Sequence, residues 1–167
     1  RWLIQTQQAD GSWAIGSDPA GKNQRDHNPV CVTAMAIRAL LPGLRDEKLK
    51  IAEYVRRAAN FLVASQQPNG QYGPSEYFTM MYAHGNSLRA LCAVQREWPE
   101  NERLASIQRG VEYALAARNP YMGWRYGPRE NDNDSKITAV MLLGLLAAKE
   151  VGATVDEKAL REAQSLL

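Results

Sequence analysis

The 167 residues are one domain's worth of chain, long enough to bury a sizeable core. Hydrophobic residues make up 45% and charged residues 23%, with a net charge of +2 and both signs interleaved, which argues against a disordered chain and against a nucleic-acid binder that tracks phosphates. The longest apolar run, residues 139–148, is much too short to span a bilayer, so no transmembrane segment is expected.

In chain order, residues 1–8 read as the end of a helix that Asp10-Gly11 stops. Residues 14–27 contain Gly16, Pro19 and Gly21 and read as a loop. Asn28-Pro29 is an N-cap with a first-turn proline, opening a helix to Leu41 that is apolar almost all round and therefore buried on most faces. Pro42-Gly43 ends it, and Asp46 caps a one-sided helix to about Gln67, with Val55, Ala59 and Leu62 at helical spacing. The pattern then returns. Pro68-Asn69-Gly70 is a turn, Phe78–Gln95 an apolar helix and Pro99–Arg118 an amphipathic one. After a polar loop to Asp132, Asp134–Val151 is apolar again and Asp156–Leu167 amphipathic. Cys31 and Cys92 sit singly in apolar patterns and read as two buried thiols rather than a disulfide. No signal-peptide pattern opens the chain. Lacking a starting Met, it reads as an excised piece of a longer protein, which leaves its localisation unknown.

One stretch recurs. Gln7-Gln8-Ala9-Asp10-Gly11-Ser12-Trp13 is followed by Gln66-Gln67-Pro68-Asn69-Gly70-Gln71-Tyr72, and more loosely by 117–124, which ends in Gly123-Trp124. The apolar helices superpose as well: Val32–Leu40 on Ala83–Leu91 on Ile137–Leu145, with offsets of 51 and 54 residues. A period of about 50 residues with two helices per unit is the mark of a helical repeat array. Ala34, Gly85 and Ala139 at matching positions let neighbouring helices approach closely.

On these residues the chain resembles the prenyltransferase and squalene-cyclase repeat, with its Gln-rich helix end followed by Gly and Trp. The resemblance covers the whole chain and implies a partial α/α toroid: an all-α single domain, 1–167, of three helix pairs, about half a ring. The inner helices would be those near 29–41, 78–95 and 134–151, and the outer ones 1–8, 46–67, 99–118 and 156–167. An apolar, isoprenoid-like small molecule in the cavity is the implied ligand. A second copy, or the remainder of the parent toroid, is the implied protein partner.

Two readings stand for most of the chemistry-bearing residues. Gln7, Gln8, Gly11, Trp13, Gln66, Gln67, Gly70, Tyr72, Gly123 and Trp124 are structural under the resemblance, the rings packing over helix ends, although Trp13, Tyr72 and Trp124 also suit ligand stacking. Residues 130–135 resemble the Asp-x-Asp-Asp motif of class II terpenoid cyclases, with Asp134 in the place of the protonating acid and Asp132 beside it. Such an acid needs burial and a carboxylate neighbour. Yet aligned on Thr138-Ala139 the acid's place falls on Lys136, and the favoured reading is that Asp134 or Ser135 caps the helix, with the carboxylates stabilised by its dipole. His84 matches Thr33 and Thr138 and is either a hydrogen-bonded core residue or a cavity-lining one with Tyr77 and Met81. Trp124 and Tyr126, with Tyr121, Arg125 and Arg129, cluster near the acidic rim and read either as cavity lining able to cradle an apolar or anionic ligand or as rim packing. The protein prenyltransferases of the superfamily hold zinc through an Asp, a Cys two residues on and a distant His. Here Pro29 and Ala90 stand two before the cysteines, so His27 and His84 have no ligand spacing around them, and neither metal nor cofactor is expected. The function expected is thus a binding or scaffold domain with incomplete catalytic motifs. The alternatives are polyprene protonation by Asp134 and, on fold analogy alone, a carbohydrate-active toroid.

Overall fold

The computed structural model describes residues 2–14, 28–45, 50–75, 79–120 and 122–167. Among them are seven α-helices and no strand. They are α1 (Trp2–Thr6), α2 (Pro29–Leu40), α3 (Ala52–Ala64), α4 (Met80–Glu97), α5 (Asn101–Ala116), α6 (Ser135–Glu150) and α7 (Glu157–Gln164). A 3-10 turn at Leu41–Arg45 follows α2. The fold is all-helical, and among the described residues an isolated bridge pairs Gln66 with Tyr72.

Side chains cap three helices at their N-terminal ends, two of them, Asn28 and Asp134, where the sequence places caps. Asn28 Oδ1 accepts from Cys31 N at the head of α2, with Pro29 in the first turn. Asp134 and Asp156 do the same for α6 and α7. The expected cap Asp46 lies outside the described residues. The helix expected to reach Gln67 ends at Ala64, because Gln66 and Gln67 turn their amides onto the next loop. The helix expected to start at Pro99 begins at Asn101, behind an extended Glu100.

α4 lies at the centre, with α2 on one side and α6 on the other. α3 packs on α2 and α4, α5 on α4 and α6, and α7 on α6. The tightest approach is between α4 and α6. A Cβ at Gly85 would come within 2.8 Å of Val140 Cγ1, and one at Gly144 within 3.1 Å of the Gly85 carbonyl oxygen. Two glycines facing each other let these backbones nearly touch. The core that results is continuous, running from Ile37 on α2 through Leu88 and Leu91 to Met141 and Leu145 on α6.

Candidate functional site

Three helix-end turns carry the residues singled out by the sequence, and their hydrogen bonds follow one scheme. In the first, Gln7 Nε2 donates to Gly11 O and across to Tyr54 O, both at 2.9 Å. In the second, Gln66 Nε2 donates to Gly70 O at 3.0 Å and to Ser106 O at 2.9 Å. Gln8 N donates to Ser12 O, and Gln67 N to Gln71 O. Asp10 and Asn69 side chains accept from the backbone two residues on. Each turn thus closes on itself and is tied to the following long helix by one glutamine side chain.

Gly11 and Gly70 have φ of +92° and +91°. A Cβ on either would overlap a backbone carbonyl oxygen, that of Arg57 in α3 or of Arg109 in α5. Glycine is required there twice over, by conformation and by space.

The ring after each turn is buried, and its backbone N–H is received by a side chain of the next apolar helix. Trp13 N donates to Thr33 Oγ1 at 3.0 Å, Tyr72 N to His84 Nδ1 at 3.2 Å and Trp124 N to Thr138 Oγ1 at 3.1 Å. These acceptors are the residues that the helix superposition matched. The ring polar atoms are also partnered. Trp13 Nε1 donates to Leu3 O, Trp124 Nε1 to Ala114 O, and the Tyr72 hydroxyl pairs with Ser106 Oγ. None of the three rings presents a face for ligand stacking.

His84 is 0% exposed. With Nδ1 accepting from Tyr72 N, the ring proton sits on Nε2, which donates to Gly110 O at 3.0 Å. Tyr72 and Tyr113 flank the ring, with centroids 5.3 and 4.9 Å away. Burial pushes its pKa down to about 4, partly offset by the Gly110 hydrogen bond. A surface of zero means that not even a water-sized void touches the residue. His84, Met81 and Trp124 are all in this state, so they are core residues and not lining of a cavity. Tyr77 and Tyr121 lie outside the described residues. Tyr126 is half-buried, with the Arg125 guanidinium 5.7 Å from its ring centroid.

The third turn keeps the scheme with different residues. Arg118, six residues before Trp124 as Gln66 is before Tyr72, donates from Nε to Met122 O at 2.7 Å and from a terminal nitrogen to Glu162 of α7. The left-handed position is Met122, with φ +78°, and not Gly123. Gly123 is needed for another reason: a Cβ there would press on Asn133 and on Thr138 Oγ1.

On the acidic rim, Asp134 is the N-cap of α6. Its Oδ1 accepts from Ile137 N at 2.9 Å, and it is only half-buried. Asp132 is exposed and ion-paired with Arg125, which also lies 3.4 Å from Glu130. The charge-assisted hydrogen bond from Arg125 to Asp132 raises the arginine's pKa. The two aspartates therefore have separate structural duties, one at a helix end and one in a loop ion network. The burial that a proton-donating acid needs is missing at both.

Cys31 and Cys92 are free thiols, Cys31 half-buried and Cys92 fully so, with burial pushing the Cys92 pKa up to about 12. Such a thiol is inert as a nucleophile or ligand. His27 is outside the described residues, and among the described ones no group of three His, Cys, Asp or Glu side chains is gathered to hold a metal. No described helix is long and apolar enough to cross a membrane.

Three further residues contribute to these turns: Arg118, Arg109 and Ser106. Gln66 Oε1 accepts from Ser106 Oγ at 2.9 Å and from Arg109 at 2.8 Å, completing the amide's hydrogen bonding. Arg118 was legible by its distance from Trp124. The other two stand on α5 with no marker of their own. No known protein-family model matches the chain.

Proposed function

We propose that the chain is a squalene-cyclase and prenyltransferase-like repeat domain, three helix pairs forming part of an α/α toroid, and that it works by binding or scaffolding and not by acid catalysis at its rim. The observation that carries the repeat is the shared hydrogen bond from Trp13, Tyr72 and Trp124 to Thr33, His84 and Thr138, residues 51 and 54 apart. Further support comes from the order of packing, with α2, α4 and α6 side by side and α3, α5 and α7 bracing them. Binding is favoured over chemistry because the side chain best suited to protonate a polyprene, Asp134, is taken up as a helix cap. Met35, Leu143 and Leu146, 55%, 44% and 39% exposed, give the α2–α4–α6 row an apolar surface suited to an isoprenoid-like molecule.

Native mass spectrometry of the purified protein and of its Asp134→Asn variant tests this reading. Asn is as good a cap as Asp, so the variant folds normally. The expected outcome is an added lipid-sized mass retained equally by both proteins. Turnover of a polyprene by the wild type, abolished in Asp134→Asn, would overturn the binding reading in favour of chemistry.

A further inference from the structure

At the C-terminal ends of α2, α4 and α6 two adjoining hollows of about 490 and 410 Å³ share Arg38, Ala93 and Arg96 as walls. They form one open groove across the three helices. The charges in it do not balance. Arg96 is paired with Glu150 at 2.9 Å, and Glu97 lies in the far hollow with Arg45. Arg38 and Arg89 share the nearer hollow, and among the described residues neither has a carboxylate partner or hydrogen bond.

Position in the helix explains part of this. Arg38 and Arg96 stand in the last turns of α2 and α4, where the helix dipole favours a cation. Arg89 does not, because it lies eight residues before the end of α4, beyond the reach of that effect. Burial and then the Arg38 charge push its pKa down, so its surroundings act against its charge. An exposed Arg38 guanidinium and a half-buried Arg89 guanidinium, lining one hollow with no carboxylate paired to either, repel each other at a cost that a doubly charged anion removes.

We propose that Arg38 and Arg89, on neighbouring helices, form a binding site for a phosphate group. Planar guanidiniums bind two phosphate oxygens at once, and two of them suit a dianion better than a single carboxylate does. Leu143 occupies the matching place on α6, and with Leu146 it forms an apolar wall of the same hollow. The phosphate is therefore either free or carried as the monoester of an apolar alcohol. The site does not depend on the repeat reading, since it rests on charge and position alone.

Isothermal titration with inorganic phosphate and with hexyl phosphate, in low-salt buffer free of other multivalent anions, tests the site. Arg89→Gln and Arg38→Gln are each expected to weaken both ligands about 10- to 100-fold, the loss typical of a charge-assisted pair. Arg125→Gln, in the rim network, leaves binding unchanged. Phosphate raises the melting temperature of the wild type but not of Arg89→Gln, which without phosphate melts no lower than the wild type. Tighter binding of hexyl phosphate, lost in Leu143→Ser, supports the site and identifies a monoester, whereas equal affinities support it and identify free phosphate. Failure of both ligands to bind at millimolar concentration would overturn the proposal. So would binding that survives both arginine substitutions.

Discussion

The second and third helix-end turns, 66–72 and 118–124, have the same backbone plan and almost no side chains in common. Gln66 braces one and Arg118 the other; Gly70 takes the left-handed position in one and Met122 in the other. Tyr72 N is received by a histidine and Trp124 N by a threonine. The difference follows from what packs behind each turn. The second abuts the long helix α5, whose Arg109 carbonyl leaves no room for a side chain at Gly70. The third faces α7, which ends at Gln164, and the Met122 side chain is 42% exposed. Identity at these positions is thus set by the neighbouring helix, while the plan of the turn is set by its backbone hydrogen bonds.

The largest effect should come from breaking that asymmetry at its tight end. Gly70→Ala forces a Cβ into the Arg109 carbonyl at a φ that L-residues avoid, and is expected to cost more than about 3 kcal/mol, read as a lower urea midpoint. A smaller loss would mean that the turn and α5 separate easily.

The histidine and threonine acceptors differ in pH response, which makes the next test. The folded His84 pKa, about 4, lies below the ordinary 6.5. Between these values the unfolded chain binds a proton that the native one does not, so the stability fully present above pH 6.5 falls as pH drops towards 4. The loss is about 3 kcal/mol, at roughly 1.4 per pH unit. Thr33 and Thr138 contribute nothing to it. His84→Gln, whose amide can still donate towards Gly110, should flatten the pH dependence of the urea midpoint over that window.

Capping comes next in size. Asp134→Ala is expected to cost about 1 kcal/mol and Asp134→Asn almost nothing, compared by thermal melts. The smallest effect is a gain. Met122→Gly relieves the left-handed methionine and should add roughly 0.5–1 kcal/mol, net of the flexibility that glycine brings to the unfolded chain. Together with Gly70→Ala it reverses the sign of the glycine effect between two turns of the same plan.

Much of the helix layout was legible, because apolar spacing and the caps Asn28 and Asp134 are local signals. The match of Thr33, His84 and Thr138 was legible too, being a matter of register. Their shared task was not, since a histidine among tyrosines and methionines suggests a cavity, and only packing from Tyr72, Tyr113 and Gly110 together closes the site. On the acidic rim the helix-cap reading of Asp134 holds. Asp132 and Asp134 are two residues apart in sequence, but the chain turns between them, so one pairs with Arg125 and the other caps α6. Nor did the exposed groove announce itself, because the weight of Arg38 and Arg89 lies in pairing: the Glu150 carboxylate of the same hollow is taken by Arg96 and neither of them is paired.

Residues that look chemical are parts of one structural scheme, and His84 is the sharpest instance. Long-range 15N–1H NMR of the imidazole nitrogens between pH 5 and 8, assigned by comparison with His84→Gln, tests it most directly. The expected result is a single tautomer with its proton on Nε2, a bare Nδ1 and no titration over that range. A ring that exchanges tautomers or titrates near 6.5 would contradict it, placing His84 in contact with water and returning it to the role of a cavity residue.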